Sequence, residues 1–227
     1  MLLKIMADII QNVLSSVLEA VYKPFWAALF VSIIMSFVYM YAYKPLAAGK
    51  GIKNVTKAWW QNVKTSAFFR KLWFLTFVFA MILFSTVLMR SRWKDPLSSV
   101  MNGFQLVSVA EDGTVTVQSD IFRNIIMMVP FIFMLFWTFP DRVLKNRKLW
   151  NVLLRGTVIA FVFSVAIELS QLFFQLGTFQ LSDILYNTVS GFIGALLYWV
   201  LYKIKHAAKK KKPAPQKDEM QEKIFKE

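Results

Sequence analysis

The chain has 227 residues, of which 57% are hydrophobic and 18% are charged, and it contains no cysteine. Soluble domains are typically about 45–50% apolar and about 25% charged, so this composition, with a mean hydropathy of +0.48, indicates a protein embedded in lipid. The absence of cysteine excludes a disulfide scaffold, a cysteine zinc site and a thiol nucleophile.

The amino-terminal segment, residues 1–23, carries apolar residues at a four-residue spacing: Ile5, Ile9, Val13, Val17 and Val21. This spacing predicts an amphipathic helix that lies on the membrane surface. A cleavable signal peptide is the alternative. Its charged region should be short and basic, however, whereas this segment also contains Asp8 and Glu19.

Five apolar stretches are long enough to cross a bilayer, which takes about 20 residues in a helix. They cover residues 24–43, 72–89, 121–139, 156–174 and 184–202. The third contains Pro130, which a spanning helix tolerates when neighbouring groups satisfy the freed backbone. We therefore predict an all-α polytopic membrane bundle of five transmembrane helices. Its parts are an interfacial segment (1–23), a first span with a basic loop (24–71), a membrane domain (72–202) and a polybasic tail (203–227).

Basic residues are distributed very unevenly between the two sides of this bundle. Of the 27 Lys and Arg residues, seven lie in residues 44–71, five in 140–155 and nine in 203–227, which leaves six for the other side. By the positive-inside rule, the amino terminus is external and the carboxyl terminus cytoplasmic. Most of the net charge of +14 is therefore explained by topology, and no nucleic-acid partner is expected.

One predicted external connection has a strand-like pattern. Residues 104–118 read FQLVSVAEDGTVTVQ, with two alternating runs around Asp112-Gly113, a dipeptide that favours a tight hairpin turn. An isolated two-stranded ribbon is only marginally stable in water unless it packs on something. A short external hairpin and an irregular loop are therefore both compatible with the sequence.

Glu168 is the only carboxylate deep in a predicted span, where a charge costs about 2.5–3.5 kcal/mol on insertion scales. Ser164 precedes it by four residues and Gln171 follows it by three, so the three side chains share one helix face. Because of the cost of exposing a carboxyl group to lipid, we expect this face to point into the bundle or into a wet cavity.

The fifth span presents a second polar stripe, in which Asp183 and Asn187 are followed by Gly191 and Gly194. The glycines and Ser190 are small enough to let two helices approach closely. A connection of about ten residues makes the fourth and fifth spans an antiparallel hairpin, so we expect the two polar stripes to meet.

Four more polar residues lie near the external ends of their spans: Arg90, Arg92, Arg123 and Asn124. We expect them to form a ligand-binding group together with Ser164, Gln171 and Asn187. Plainer readings stand beside this one. The amides and Ser164 could only join helices, the arginines could only anchor helix ends, and Asp183 could only cap a helix.

In their order and spacing, three motifs resemble the VanZ-like family of bacterial membrane proteins. They are Asn124 with Pro130, then Ser164-x-x-x-Glu168-x-x-Gln171, then Asp183-x-x-x-Asn187-x-x-x-Gly191-x-x-Gly194. The resemblance covers residues 72–202 and implies a plasma-membrane protein whose family founder lowers susceptibility to teicoplanin, a lipid-tailed glycopeptide. Members often have Asp where Gln180 stands, and some have Arg where this chain has Gly177 and Thr178, so an anion site there would be tuned differently.

Three classes of function remain. The first is binding of membrane lipids, lipid-linked cell-wall intermediates or lipoglycopeptides at the external leaflet, with Arg90, Arg92 and Arg123 meeting the anionic groups. The second is a lipid-modifying enzyme, with Glu168 as general acid or base and Asp183 or Asn187 orienting the substrate. The third is a proton-coupled transporter or a scaffold. The sequence has no HExxH, P-loop or GxSxG motif, so no metal or nucleotide cofactor is expected.

Overall fold

The computed structural model describes residues 2–43, 51–92, 94–105, 107–109, 115–117 and 119–210. Its helices are α1 (Leu2–Tyr43), α2 (Ile52–Thr65), α3 (Ala67–Leu83), α4 (Ser119–Thr138), α5 (Pro140–Val143), α6 (Leu149–Phe174) and α7 (Leu181–Lys210), and a π-helical turn (Phe84–Leu88) continues α3. Within these described residues, five candidate membrane spans cover Ile9–Tyr43, Ala67–Leu88, Ile121–Thr138, Leu149–Phe174 and Leu181–Ala207. The predicted polytopic bundle of five apolar helices is thereby confirmed.

The connection between the second and third spans forms a small hairpin. Strand β1 (Val107–Val109) pairs antiparallel with β2 (Val115–Val117), and Val107 stands opposite Val117. Strand β2 lies against α1, which supplies the packing that an isolated ribbon lacks. The predicted turn residues, Asp112 and Gly113, lie outside the described residues.

Helix α1 runs without interruption through Pro24, so the structure does not separate residues 2–23 from the first span. At a rise of 1.5 Å per residue its 42 residues extend over about 63 Å, roughly twice the hydrocarbon thickness of a bilayer. At the usual tilts of membrane helices, a helix of this length extends beyond the hydrocarbon layer. An interfacial position for residues 1–23 remains a prediction.

Other boundaries also differ from the sequence-based ones, and at two places the structure has helix where a loop or a tail was predicted. The predicted basic loop contains the amphipathic helix α2, whose Trp59 packs edge-on against Trp73 of α3 at 5.2 Å and donates a hydrogen bond to Ser36 of α1. Helix α7 continues to Lys210, so the first eight residues of the predicted tail are helical. Helix α2 and the end of α7 are too polar to be recognised as helices from hydropathy alone.

Small residues bring the central helices together. A Cβ placed on Gly191 of α7 would overlap Ala160 of α6 and lie 2.9 Å from the carbonyl oxygen of Gly156. On the neighbouring face of α7, a Cβ on Gly194 would lie 2.6 Å from the carbonyl oxygen of Val129 in α4. Helices α4 and α6 thus pack on two faces of α7, and neither glycine leaves room for a side chain.

The two ends of the bundle carry different groups. The Arg90 end contains Arg90, the start of α4 and the connection 175–180 between α6 and α7. The Lys71 end contains Lys71, the end of α4 and the start of α6. The polar side chains predicted from sequence lie toward the Arg90 end, above the glycine contacts.

Candidate functional site

Glu168 is buried inside the bundle, with 1% of its surface exposed. Its Oε2 accepts a hydrogen bond of 2.9 Å from the backbone N–H of Gln180, the residue directly before α7. A carboxylate is well placed at a helix start, where backbone N–H groups lack partners in the helix and the dipole favours negative charge. Glu168 of α6 therefore holds the connection 175–180 and the beginning of α7.

The polar stripes of α6 and α7 are joined by one buried hydrogen bond. Asn187 Nδ2 donates to Ser164 Oγ at 2.9 Å. Asn187 thus binds the serine one helical turn from Glu168, and the partner of Glu168 is a backbone group. Ser190 lies one turn further along α7 and donates to its own helix, to the carbonyl oxygen of Tyr186.

Asp183 connects α7 to α4. Because α7 begins at Leu181 instead of residue 184, Asp183 is the third residue of the helix and not the residue before it, which corrects the capping interpretation. Its Oδ1 accepts a hydrogen bond of 2.9 Å from Asn124 Nδ2. Asp183 and Arg90 both lie within electrostatic range of Glu168.

Gln171 connects α6 to the end of α3 and not to the Asp183 stripe. Its Nε2 donates to the carbonyl oxygen of Thr86 at 2.8 Å, inside the π-helical turn. Its Oε1 is buried, and no described residue donates to it. No sequence pattern indicated Thr86 as a partner, because the acceptor is a backbone carbonyl in the last helical turn, where carbonyl groups lack partners in the helix.

A cavity of about 540 Å³, the Arg90 cavity, lies at the Arg90 end between α1, the π-helical turn, α4 and the connection 175–180. Its cationic lining residues are Lys23, Arg90 and Arg123, and Glu19 is the one carboxylate among the described residues that line it. Glu19 is ion-paired with Lys23 at 2.5 Å. Serine side chains add further polar groups to the wall, and Ala20, Pro24 and Met89 add apolar ones.

The connection 175–180 contributes to this wall directly. Gly177 and Thr178 line the cavity, and Gly177 has φ 95°, a conformation that favours glycine. A Cβ on Gly177 would lie 2.8 Å from Arg90 Nη1, so the guanidinium group rests on this glycine. The hydrogen bond from Gln180 to Glu168 thus fixes a segment that positions Arg90.

The predicted ligand-binding residues are not all in one place. Arg90 and Arg123 line the cavity, whereas Arg92 is exposed and is not among the lining residues. Interhelical hydrogen bonds next to the cavity are made by Asn124, Ser164, Gln171 and Asn187. Sequence reasoning missed Glu19 and Lys23, although their four-residue spacing marks a helical ion pair. In the part of the chain that the structure describes, no group of three His, Asp or Glu side chains could hold a metal ion.

The sequence matches the VanZ/LLP1 family over residues 71–202. No curated protein and no solved structure matches the chain. The matched region is more than half of the chain and runs from the start of α3 into α7, so it includes Glu168, Asp183 and Asn187 with their partners. The chain belongs to the VanZ/LLP1 family of membrane proteins.

Proposed function

We propose that the Arg90 cavity binds phosphate or sugar-acid groups of a lipid-linked or lipid-tailed envelope molecule at the external leaflet of the bacterial plasma membrane. The observation that carries this proposal is the cationic lining of a 540 Å³ cavity by Lys23, Arg90 and Arg123. Guanidinium groups bind phosphate and carboxylate oxygens through paired, charge-assisted hydrogen bonds.

Two features support a position at the headgroup level of the external leaflet. The Arg90 end is the side of the bundle that is poor in Lys and Arg, which the positive-inside rule assigns to the exterior. Tyr22 and Trp26 flank Lys23 on α1 and are 73% and 67% exposed. Exposed Tyr and Trp residues are typical of the membrane–water interface.

The position of Glu168 favours binding over chemistry. Glu168 is buried behind the connection 175–180 and is not among the residues that line the cavity. Its hydrogen bond to Gln180 instead holds Gly177 and Thr178 in the cavity wall. We therefore assign Glu168 a positioning role, and we infer that binding of such envelope molecules underlies an effect on susceptibility to lipoglycopeptides such as teicoplanin.

The test uses purified full-length protein in phosphatidylcholine nanodiscs, with a polyprenyl diphosphate as the probe. Each charge-assisted hydrogen bond contributes about 1.5–3 kcal/mol to the free energy of binding, and this contribution is lost when the arginine is replaced. We expect the double variant Arg90→Gln, Arg123→Gln to bind the probe at least about tenfold more weakly. Arg92→Gln, which removes an exposed arginine outside the lining, is the matched control and should bind like the unmodified protein.

Equal affinity of the double variant and the control would overturn the proposal. In cells, teicoplanin susceptibility is measured for the same variants, together with the abundance of the protein in the membrane. We expect the double variant to behave like cells without the protein, and Arg92→Gln like cells with it.

A further inference from the structure

A second basic pocket lies at the Lys71 end of the bundle, on the opposite side from the Arg90 cavity. It has a volume of about 260 Å³. Its basic lining residues are Lys71, Arg147 and Lys205, and the rings of His206, Trp137, Tyr198 and Tyr202 line it as well. Helix α3, the end of α4, the connection before α6 and the end of α7 each contribute to it, so the pocket exists only in the assembled bundle.

Aromatic rings and helix-end carbonyls hold these basic groups. Lys71 Nζ donates to the carbonyl oxygen of Trp137 at 3.2 Å and lies 5.2 Å from the centre of its ring. The Arg147 guanidinium lies 5.0 Å from the ring of Tyr202, and the rings of His206 and Tyr202 are 4.0 Å apart. An ammonium group has three donors, and the Trp137 carbonyl takes one of those on Lys71.

In the part of the chain that the structure describes, Asp141 is the one carboxylate that is ion-paired with a basic residue of this pocket. Asp141 is the only acidic residue between residues 121 and 167, and there is none from 20 to 94 or from 184 to 217. Asp141 is ion-paired with Arg147 at 2.7 Å. The hydroxyl group of Tyr202 and the Asp141 carboxylate raise the pKa of Arg147, so the guanidinium stays charged. Lys71 and Lys205 are close enough to repel each other, a cost that a bound anion would remove.

The walls of the pocket indicate what kind of anion it takes. Phe133 and Leu201 give it an apolar side, and Trp137 is partly exposed next to them, as expected at the boundary between the acyl chains and the headgroups. Basic pockets between transmembrane helices at this depth bind the headgroups of anionic lipids. A soluble anion would gain nothing from the apolar side.

We propose that Lys71, Arg147 and Lys205 bind the phosphate group of an anionic phospholipid from the leaflet opposite the Arg90 cavity, with an acyl chain against Phe133 and Leu201. This lipid is distinct from the envelope molecule proposed for the Arg90 cavity, and neither proposal depends on the other.

The test uses full-length protein in phosphatidylcholine nanodiscs with a small fraction of phosphatidylglycerol, and native mass spectrometry to count the phosphatidylglycerol molecules retained. The variant Lys71→Gln, Lys205→Gln is compared with Lys145→Gln, Lys203→Gln, which removes the same charge from exposed lysines outside the pocket lining. We expect the first pair to retain at least about fivefold less phosphatidylglycerol and the control pair to stay within about twofold of the unmodified protein.

Equal losses in both pairs would show only general attraction of lysines to the surface and would overturn the proposal. Thermal stabilisation of the protein in pure phosphatidylcholine by millimolar inorganic phosphate, as large as that given by phosphatidylglycerol, would identify a soluble anion site and also overturn it. Lys205 is exposed at the end of α7, so Lys205→Gln against Lys203→Gln repeats the comparison without touching the packed start of α3.

Discussion

Replacing Glu168 by Gln or by Leu separates positioning from chemistry, because only one of these side chains keeps a hydrogen-bond acceptor. Glutamine retains a carbonyl oxygen that can accept from the Gln180 N–H, which in the structure lies 2.9 Å from Glu168 Oε2. Leucine leaves this donor without a partner. A buried N–H in that state costs about 1–3 kcal/mol, which corresponds to a roughly 5- to 150-fold change in an equilibrium constant.

The cost should appear in the connection 175–180 that the bond holds. We expect Glu168→Leu to speed hydrogen exchange of the backbone amides around Gln180 by about 5- to 150-fold and to weaken binding of the polyprenyl diphosphate probe. Glu168→Gln loses only the charge contribution at the helix start, about 0.3–1 kcal/mol, and should change both quantities by less than about fivefold. Exchange is followed by mass spectrometry on protein in nanodiscs.

Unchanged exchange in Glu168→Leu would refute the argument that this bond holds the connection. A second result would change the role assigned to Glu168. If Glu168→Gln abolished the cellular phenotype while the exchange rates stayed those of the unmodified protein, the carboxyl group itself would be needed, as in acid–base chemistry or proton coupling.

Gly191→Val should lower the melting temperature in detergent, since overpacking costs about 1–3 kcal/mol, whereas Val189→Leu on the exposed face should not; equal melting would contradict the close contact of α6 and α7. Asn187→Ala should cost only about 0.6 kcal/mol in unfolding, the average for such bonds, and should preserve the fold. Single cysteines at Ser98 and Lys145, probed with an impermeant thiol reagent in intact cells, should label at Ser98 only; the opposite pattern would reverse the proposed topology.

The membrane spans could be predicted from the sequence because few backbone structures can cross a lipid bilayer. A chain that crosses a bilayer needs about 20 apolar residues in a helix, and that requirement is visible in hydropathy alone. The ends of the helices were harder to predict. Helix α6 begins seven residues before the predicted start, since Asn151 and Arg155 lower the local hydropathy, and only the packing of buried Val152 and Leu153 shows that this turn belongs to the bundle.

For the site, spacing identified side chains but not all of their partners. Four-residue steps placed Ser164 and Asn187 on stripes of neighbouring helices, and the hydrogen bond between them follows from that geometry. The partner of Glu168 is the backbone N–H of Gln180, so the residue type at this position does not indicate the contact. Lys23 lines the cavity on a helix that continues through Pro24, and a proline in a sequence is more often taken as a boundary.

The π-helical turn at Phe84–Leu88 couples the end of α3 to α6. In this turn the N–H of Met89 bonds to the carbonyl oxygen of Phe84, five residues back, which accommodates an extra residue. Deleting one residue of this turn would restore a regular helix and leave the residues beyond it, Arg90 included, in nearly the same orientation, but it would displace the Thr86 carbonyl that accepts from Gln171. A chimaera between family members would therefore have to exchange residues 84–90 and position 171 as one unit, because a gap of a single residue here removes the contact between α3 and Gln171.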